Sequence, residues 1–229
     1  KIPVSYFKNT KKLYLSPNVH NLNTVLVVAK KDKNYAYNLL NSLIQKYKDK
    51  NLITKSKAFL THTSSTKGTP IEIIEGFYNS EQNLSKGIVD LKLKGGRFGQ
   101  NISYTFYSLN NTDILRSFQL FKKSNKILPL YPGNLSLGAI KWKYNVKIDQ
   151  CANCSSQDVS ISFIPKNPNG RFLSGKILFN KETLTIKKIE LAVTEPKIIG
   201  LMSIIENDII TPKNMKLTIN FNPIDYEKI

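Results

Sequence analysis

With 229 residues, 41% of them hydrophobic and 10% aromatic, the chain can bury one sizeable core, or one domain plus a fragment of another, which excludes a disordered polymer. No apolar run approaches the roughly 20 residues that a membrane-spanning helix requires. The net charge of +18 is uneven, with +11 over residues 1–70, +4 over 71–160 and +3 over 161–229, and 31 of the 34 cations are lysine.

In chain order, residues 1–29 read as the C-terminal strands of a small, incomplete β domain. Lys12–Ser16 is a short strand, Pro17–Asn21 a turn cluster and Thr24–Ala29 a β-branched run suited to a buried strand. A polar linker, Lys30–Lys33, leads to a helix over 34–48 that Asp32 or Asn34 could cap. Its apolar residues, Ala36, Leu39, Leu40, Leu43, Ile44 and Tyr47, form one stripe opposite Asn38, Asn41, Gln45, Lys46 and Lys48.

From residue 55 the pattern is strand after strand, near 56–64, 70–79 and 86–94, with Gly95-Gly96 reading as a turn. A strand at 103–106 and a second helix around 113–121 follow, then a loop at 129–133. Ile140, Trp142, Tyr144, Val146 and Ile148 alternate with polar residues, the period of a half-buried antiparallel strand. Val159, Ile161 and Phe163 continue the alternation, and the segment from Pro165 to Gly170 turns the chain. Runs at 175–179 and 184–193 flank a four-residue hairpin loop, Asn180–Thr183. Residues 196–212 are ambiguous, and Leu217, Ile219 and Phe221 form the last strand. The expected fold is α+β and β-rich: a curved, half-barrel-like antiparallel sheet over 30–229, packed on one or two helices, behind the β-domain tail at 1–29.

Chemistry-bearing motifs are mostly absent from the sequence. Gly95-Gly96-Arg97-Phe98-Gly99 lacks the spacing of a phosphate loop, and no nucleophile elbow or zinc-protease motif occurs. His20 lies in a turn cluster and His62 in a strand, both read as exposed polar residues. Glu72 and Glu75, three apart in a strand, fall on opposite faces, so they form no acid–base pair. The expectation is a non-enzymatic chain with no catalytic residue, cofactor or metal.

Cys151 and Cys154 fall at a hairpin tip between two strands, where a local disulfide suits an oxidising periplasm; two free thiols, or metal or redox chemistry, are the alternatives. Trp142, Tyr144, Phe163, Phe172 and Phe179 read first as core. The sharper alternative leaves Trp142, Tyr144, Phe163 and Phe179 lining an open apolar groove for an acyl chain or peptide. Only Arg97, Arg116 and Arg171 could supply the guanidinium forks that nucleic-acid readers use, so the charge reads as coding bias and a nucleic-acid partner is disfavoured. Attraction to an anionic surface is retained as an alternative.

The ordered segments Leu13-Tyr14-Leu15 and Leu22–Val27, the helix into strands over 34–65, the Gly96-Arg97 step and the Leu178–Ile186 hairpin together carry a resemblance. The chain resembles Bacteroidota envelope proteins in which a carboxypeptidase-regulatory-like domain precedes a domain of unknown function, some continuing into an outer-membrane barrel. Its architecture is similar to that of lipoprotein-sorting carrier domains, whose curved sheets hold acyl chains. The resemblance implies a periplasmic, outer-membrane-associated place with envelope proteins as partners and lipid as the alternative ligand. It carries no functional residue. Opening at Lys1-Ile2-Pro3 without Met, the chain reads as a processed or trimmed piece of a longer product.

Overall fold

A computed structural model of the chain describes residues 34–48, 50, 53–85, 87–101, 119–122, 129–149, 155–197, 203–205, 208–210 and 213–221. The strands expected within 1–29 and at 103–106 lie outside the described residues. All described elements belong to the unit Lys33–Ile229.

Helix α1 spans Tyr35–Tyr47, as its stripe predicts. Leu40, Leu43 and Ile44 are buried, and Ala36, Leu39 and Tyr47 pack at the edge of the same core. Its last turn is tied to a distant hairpin loop. Lys46 Nζ donates to the Thr183 carbonyl at 2.5 Å, and Tyr47 Oη donates to that of Leu184 at 3.0 Å.

Strands β1 (Thr54–Thr66), β2 (Thr69–Asn83) and β3 (Gly87–Gln100) form a three-stranded antiparallel meander. The β1–β2 turn is only Lys67-Gly68, both at positive φ (48° and 83°), the geometry of the two-residue hairpin turns that suit strand twist. Gly95 and Gly96 are not a turn. They lie inside β3, beside a bulge at Lys94 that arises because Phe77 pairs with Gly95 while Tyr78 pairs with Leu93. At Gly96 an added Cβ would come within 2.6 Å of the Glu75 carbonyl oxygen, so the glycine permits close strand approach. The sheet meets the main core at the β2–β3 turn, where Leu84 packs against the core and its carbonyl accepts from the Phe121 amide at 3.2 Å.

A five-stranded antiparallel sheet has the order β10-β7-β6-β5-β4, built from β4 (Tyr144–Asp149), β5 (Asp158–Pro165), β6 (Ser174–Asn180), β7 (Ile186–Thr194) and β10 (Asn214–Asn220). Register puts Val146, Phe163 and Gly175 in one row, and Ile148, Ile161, Ile177 and Ile189 in the next, on one face. That face carries the core together with α1, Phe121, Tyr131 and Leu173. The alternations at 159–163 and 175–179 thus belong to half-buried strands, as does the run expected over 184–193 from Ile186 onward, Leu184 lying in the loop at positive φ. In the β6–β7 loop, Asn180 Oδ1 accepts from the amides of Glu182 (3.0 Å) and Thr183 (2.9 Å), which closes the expected hairpin. Within the ambiguous 196–212 segment, β8 (Ser203–Ile205) and β9 (Asp208–Ile210) form a short antiparallel pair.

Two further expectations fail locally. The strand expected over 140–148 begins only at Tyr144, because helix α2 occupies Leu137–Lys143. Ser136 caps it by accepting the Ala139 amide, and the Ile140 amide donates to the Ser136 carbonyl at 2.9 Å. Two residues along a helix is a rotation of about 200°. Residues that a strand would place on one face therefore separate, leaving Ile140 fully buried and Trp142 73% exposed. Of the second expected helix, 113–118 lies outside the described residues, while 119–121 leads into a turn rather than a helix. Asn134 holds that turn, its Nδ2 donating to the carbonyls of Gln119 (3.0 Å) and Lys122 (2.8 Å).

Candidate functional site

The apolar groove expected on Trp142, Tyr144, Phe163 and Phe179 does not form on those residues. Tyr144, Phe163 and Phe179 have no accessible surface, so they can wall no open groove. Their surroundings are filled: Phe163 lies 6.0 Å from the rings of both Tyr131 and Tyr144, and Tyr144 lies 6.0 Å from Phe172. The Tyr144 hydroxyl is spent on the Leu130 carbonyl at 2.9 Å, and burial raises its pKa. Trp142 is on the outside, off this interior altogether. These aromatic side chains are a packed core rather than a hollow.

The candidate disulfide Cys151–Cys154 and His20 lie outside the described residues. His62 is half-buried in β1 rather than exposed, with Nε2 3.2 Å from Ser64 Oγ. Glu72 is buried on the same sheet face, since Ser64 pairs with Glu72 and His62 with Ile74. Glu75 lies on the opposite face and accepts a hydrogen bond from Arg97 Nε, as the offset of three predicts. Among the described residues no three His, Cys, Asp or Glu side chains gather in a way that could hold a metal.

Desolvation lowers the His62 pKa, and the charge of Glu72 opposes that only in part. The sign follows. Between the lowered folded value and the ordinary value near 6.5, the unfolded chain binds more protons, so stability rises with pH across that window. Thermal melts should therefore lose stability on acidification from pH 7.5 through this window, and His62→Gln should remove the part of that slope due to this residue. An unchanged slope would contradict the burial of His62.

Among the described residues, the three-stranded sheet exposes apolar side chains that its own packing does not explain. Phe59 of β1 pairs directly with Phe77 of β2, their rings 4.8 Å apart, yet the two residues are 54% and 62% exposed. Ile73 lies on the same face, four residues along β2, and is exposed too. Opposite Phe77 and Ile73, β3 supplies only Gly95 and Gly99, where an added Cβ would meet nothing within 4 Å. The aromatic pair thus stands beside the bare backbone of Gly95, with the Arg97–Glu75 ion pair on the same face between it and Ile73–Gly99, and Lys55–Glu81 (3.4 Å) and Lys92–Asp90 (3.7 Å) on its other side. On the other face of β3, Leu93 is 61% exposed and Phe98 49%. A scattered exposed apolar residue needs no explanation, but a paired aromatic ridge with more apolar groups on both faces marks a contact surface.

The sequence draws attention to Glu75 and to the Gly95–Gly99 segment but not to Phe59 or Phe77, which fall within the strand runs near 56–64 and 70–79. No family model, no curated protein and no solved structure matches the chain.

Proposed function

We propose that the chain is a non-enzymatic interaction module that docks a protein partner on its three-stranded sheet, with an envelope complex at the outer membrane as its setting. The observation that carries the reading is the exposed Phe59–Phe77 pair, its rings 4.8 Å apart and tilted by 44°, beside the bare backbone of Gly95. Aromatic residues are enriched at the energetic centres of interfaces, and flanking ion pairs provide the polar rim. The envelope setting rests on the resemblance of residues 12–29, 34–65, Gly96-Arg97 and 178–186, together with the disulfide expected between Cys151 and Cys154. Among the described residues no helix is long and apolar enough to cross a membrane.

The test uses affinity-tagged chain and detergent-solubilised envelopes of the source cell. The wild type should retain a defined set of envelope proteins, and Phe59→Lys/Phe77→Lys should lose them while its thermal melt stays within about 1 kcal/mol of wild type. Equal retention by the double variant would refute the assigned surface.

A further inference from the structure

The corner where α2 runs into β4 and β5 ends is built differently from the rest of the surface. Trp142 projects there with 73% of its surface exposed, and Ile164, which pairs with Asn145 of β4, is 57% exposed. Five cations share the segments that form it: Lys141, Lys143, Lys147, Lys166 and Arg171. No Asp or Glu occurs from Pro129 to Ile148 or from Ile164 to Phe172. Beyond Lys147, away from the corner, lysines face acids: Asp149, which accepts from Ser162 Oγ (2.8 Å), pairs with Lys176 (3.2 Å), and Asp158 pairs with Lys187 (2.7 Å). Glu195 meets the loop through its backbone at Gly170 and is accompanied by Lys197.

The corner is also held in shape. The Lys166 amide donates to the Lys143 carbonyl (2.8 Å), and Lys166 Nζ donates to the Lys141 carbonyl (2.7 Å), joining the end of β5 to α2. Lys143 Nζ stands 4.4 Å from the Trp142 ring centroid and 4.8 Å from that of Phe172, which itself packs on the core. The indole is thus braced by a cation that leans on the protein body.

We infer that this corner is a docking surface for an anionic phospholipid bilayer, with Trp142 and Ile164 entering the headgroup region and the lysines facing the lipid phosphates. An exposed indole with Lys143 against its ring, in segments rich in lysine, matches the interfacial preference of Trp and the attraction of basic side chains to anionic headgroups. Four of the five cations are lysine and the exposed groups are apolar, which fits a bilayer better than a nucleic acid read by arginine forks. The surface is separate from the Phe59–Phe77 ridge, so this inference stands apart from the protein-docking proposal.

Trp142 is the only tryptophan in the chain, so its fluorescence reports this site alone. The full chain is titrated with vesicles of phosphatidylcholine containing 30 mol% phosphatidylglycerol, about a third of the lipid being anionic. The expected result is a blue shift of Trp142 emission with co-sedimentation, both reversed by high salt. Neutral phosphatidylcholine vesicles should give neither. Lys141→Gln/Lys147→Gln, which leaves the Lys166 brace in place, should weaken partitioning about 25-fold, since each lysine near an anionic surface contributes about fivefold. Trp142→Ala, with unchanged circular dichroism, should weaken sedimentation as well. Unshifted emission with anionic vesicles, sedimentation without a shift, or an equal shift with neutral vesicles would overturn the inference. So would an emission shift with a DNA duplex that exceeds the shift with vesicles.

Discussion

Phe163→Ala should destabilise the chain by about 3–5 kcal/mol, while Trp142→Ala should cost less than about 1 kcal/mol. Phe163 has no accessible surface and is gripped by two aromatic rings, those of Tyr131 and Tyr144. Its cross-strand neighbour on one side is Gly175, where even a methyl group would come within 2.1 Å of the Glu190 carbonyl oxygen. No side chain there can relax into the void, which places the cost at the upper end for a Phe truncation. Trp142 loses only an exposed contact with Lys143. For a unit of this size each kcal/mol lowers the melting temperature by roughly 2–4 °C, so melts of the two variants separate clearly. Equal costs would restore Trp142 to the interior and refute α2.

Leu43→Asp should abolish cooperative unfolding or destabilise by more than about 4 kcal/mol. Leu43 is fully buried on α1, between Leu40 and Ile44, in the same core as the five-stranded sheet. A carboxylate there must lose its hydration with no cation inside the apolar cluster, and protonation would replace one cost by another. Gln45→Asp, two residues on and exposed, provides the control and should change stability by no more than about 0.5 kcal/mol. Urea unfolding followed by circular dichroism measures both. Equal midpoints for the two variants would show that α1 does not cover the sheet.

Where one face of an element is fully buried, the sequence carries the answer on its surface. The α1 stripe and the alternation at Ile161–Phe163 and Ile177–Phe179 are legible because burial selects apolar residues at one period. Helix α2 is not, since its seven residues span barely two turns, and Ile140 and Trp142 satisfy a strand period as readily. Only the cap at Ser136 separates the two readings.

The aromatic ridge fails to appear for a different reason: it exists only through register. Counting outward from the turn pairs Thr66 with Thr69 and would bring Phe59 opposite Gly76. The irregularity between Ser64 and Ser65 leaves Ile71 unmatched and moves the partner of Phe59 to Phe77. One inserted residue therefore decides whether two rings share a face, and nothing in the local composition announces it. The packed interior is equally invisible beforehand. A filled core and an open groove call for the same aromatic residues, and only their loss of all exposure distinguishes them.

The central claim, that the Phe59–Phe77 face receives a protein partner, is tested most directly by site-specific photocrosslinking in the source cell. A photoreactive phenylalanine derivative at position 77 should yield a discrete crosslinked species containing one envelope protein. The same derivative at Thr218, exposed on the outer face of β10, should yield none. Crosslinks at Thr218 matching those at position 77, or no adduct at position 77, would contradict the account.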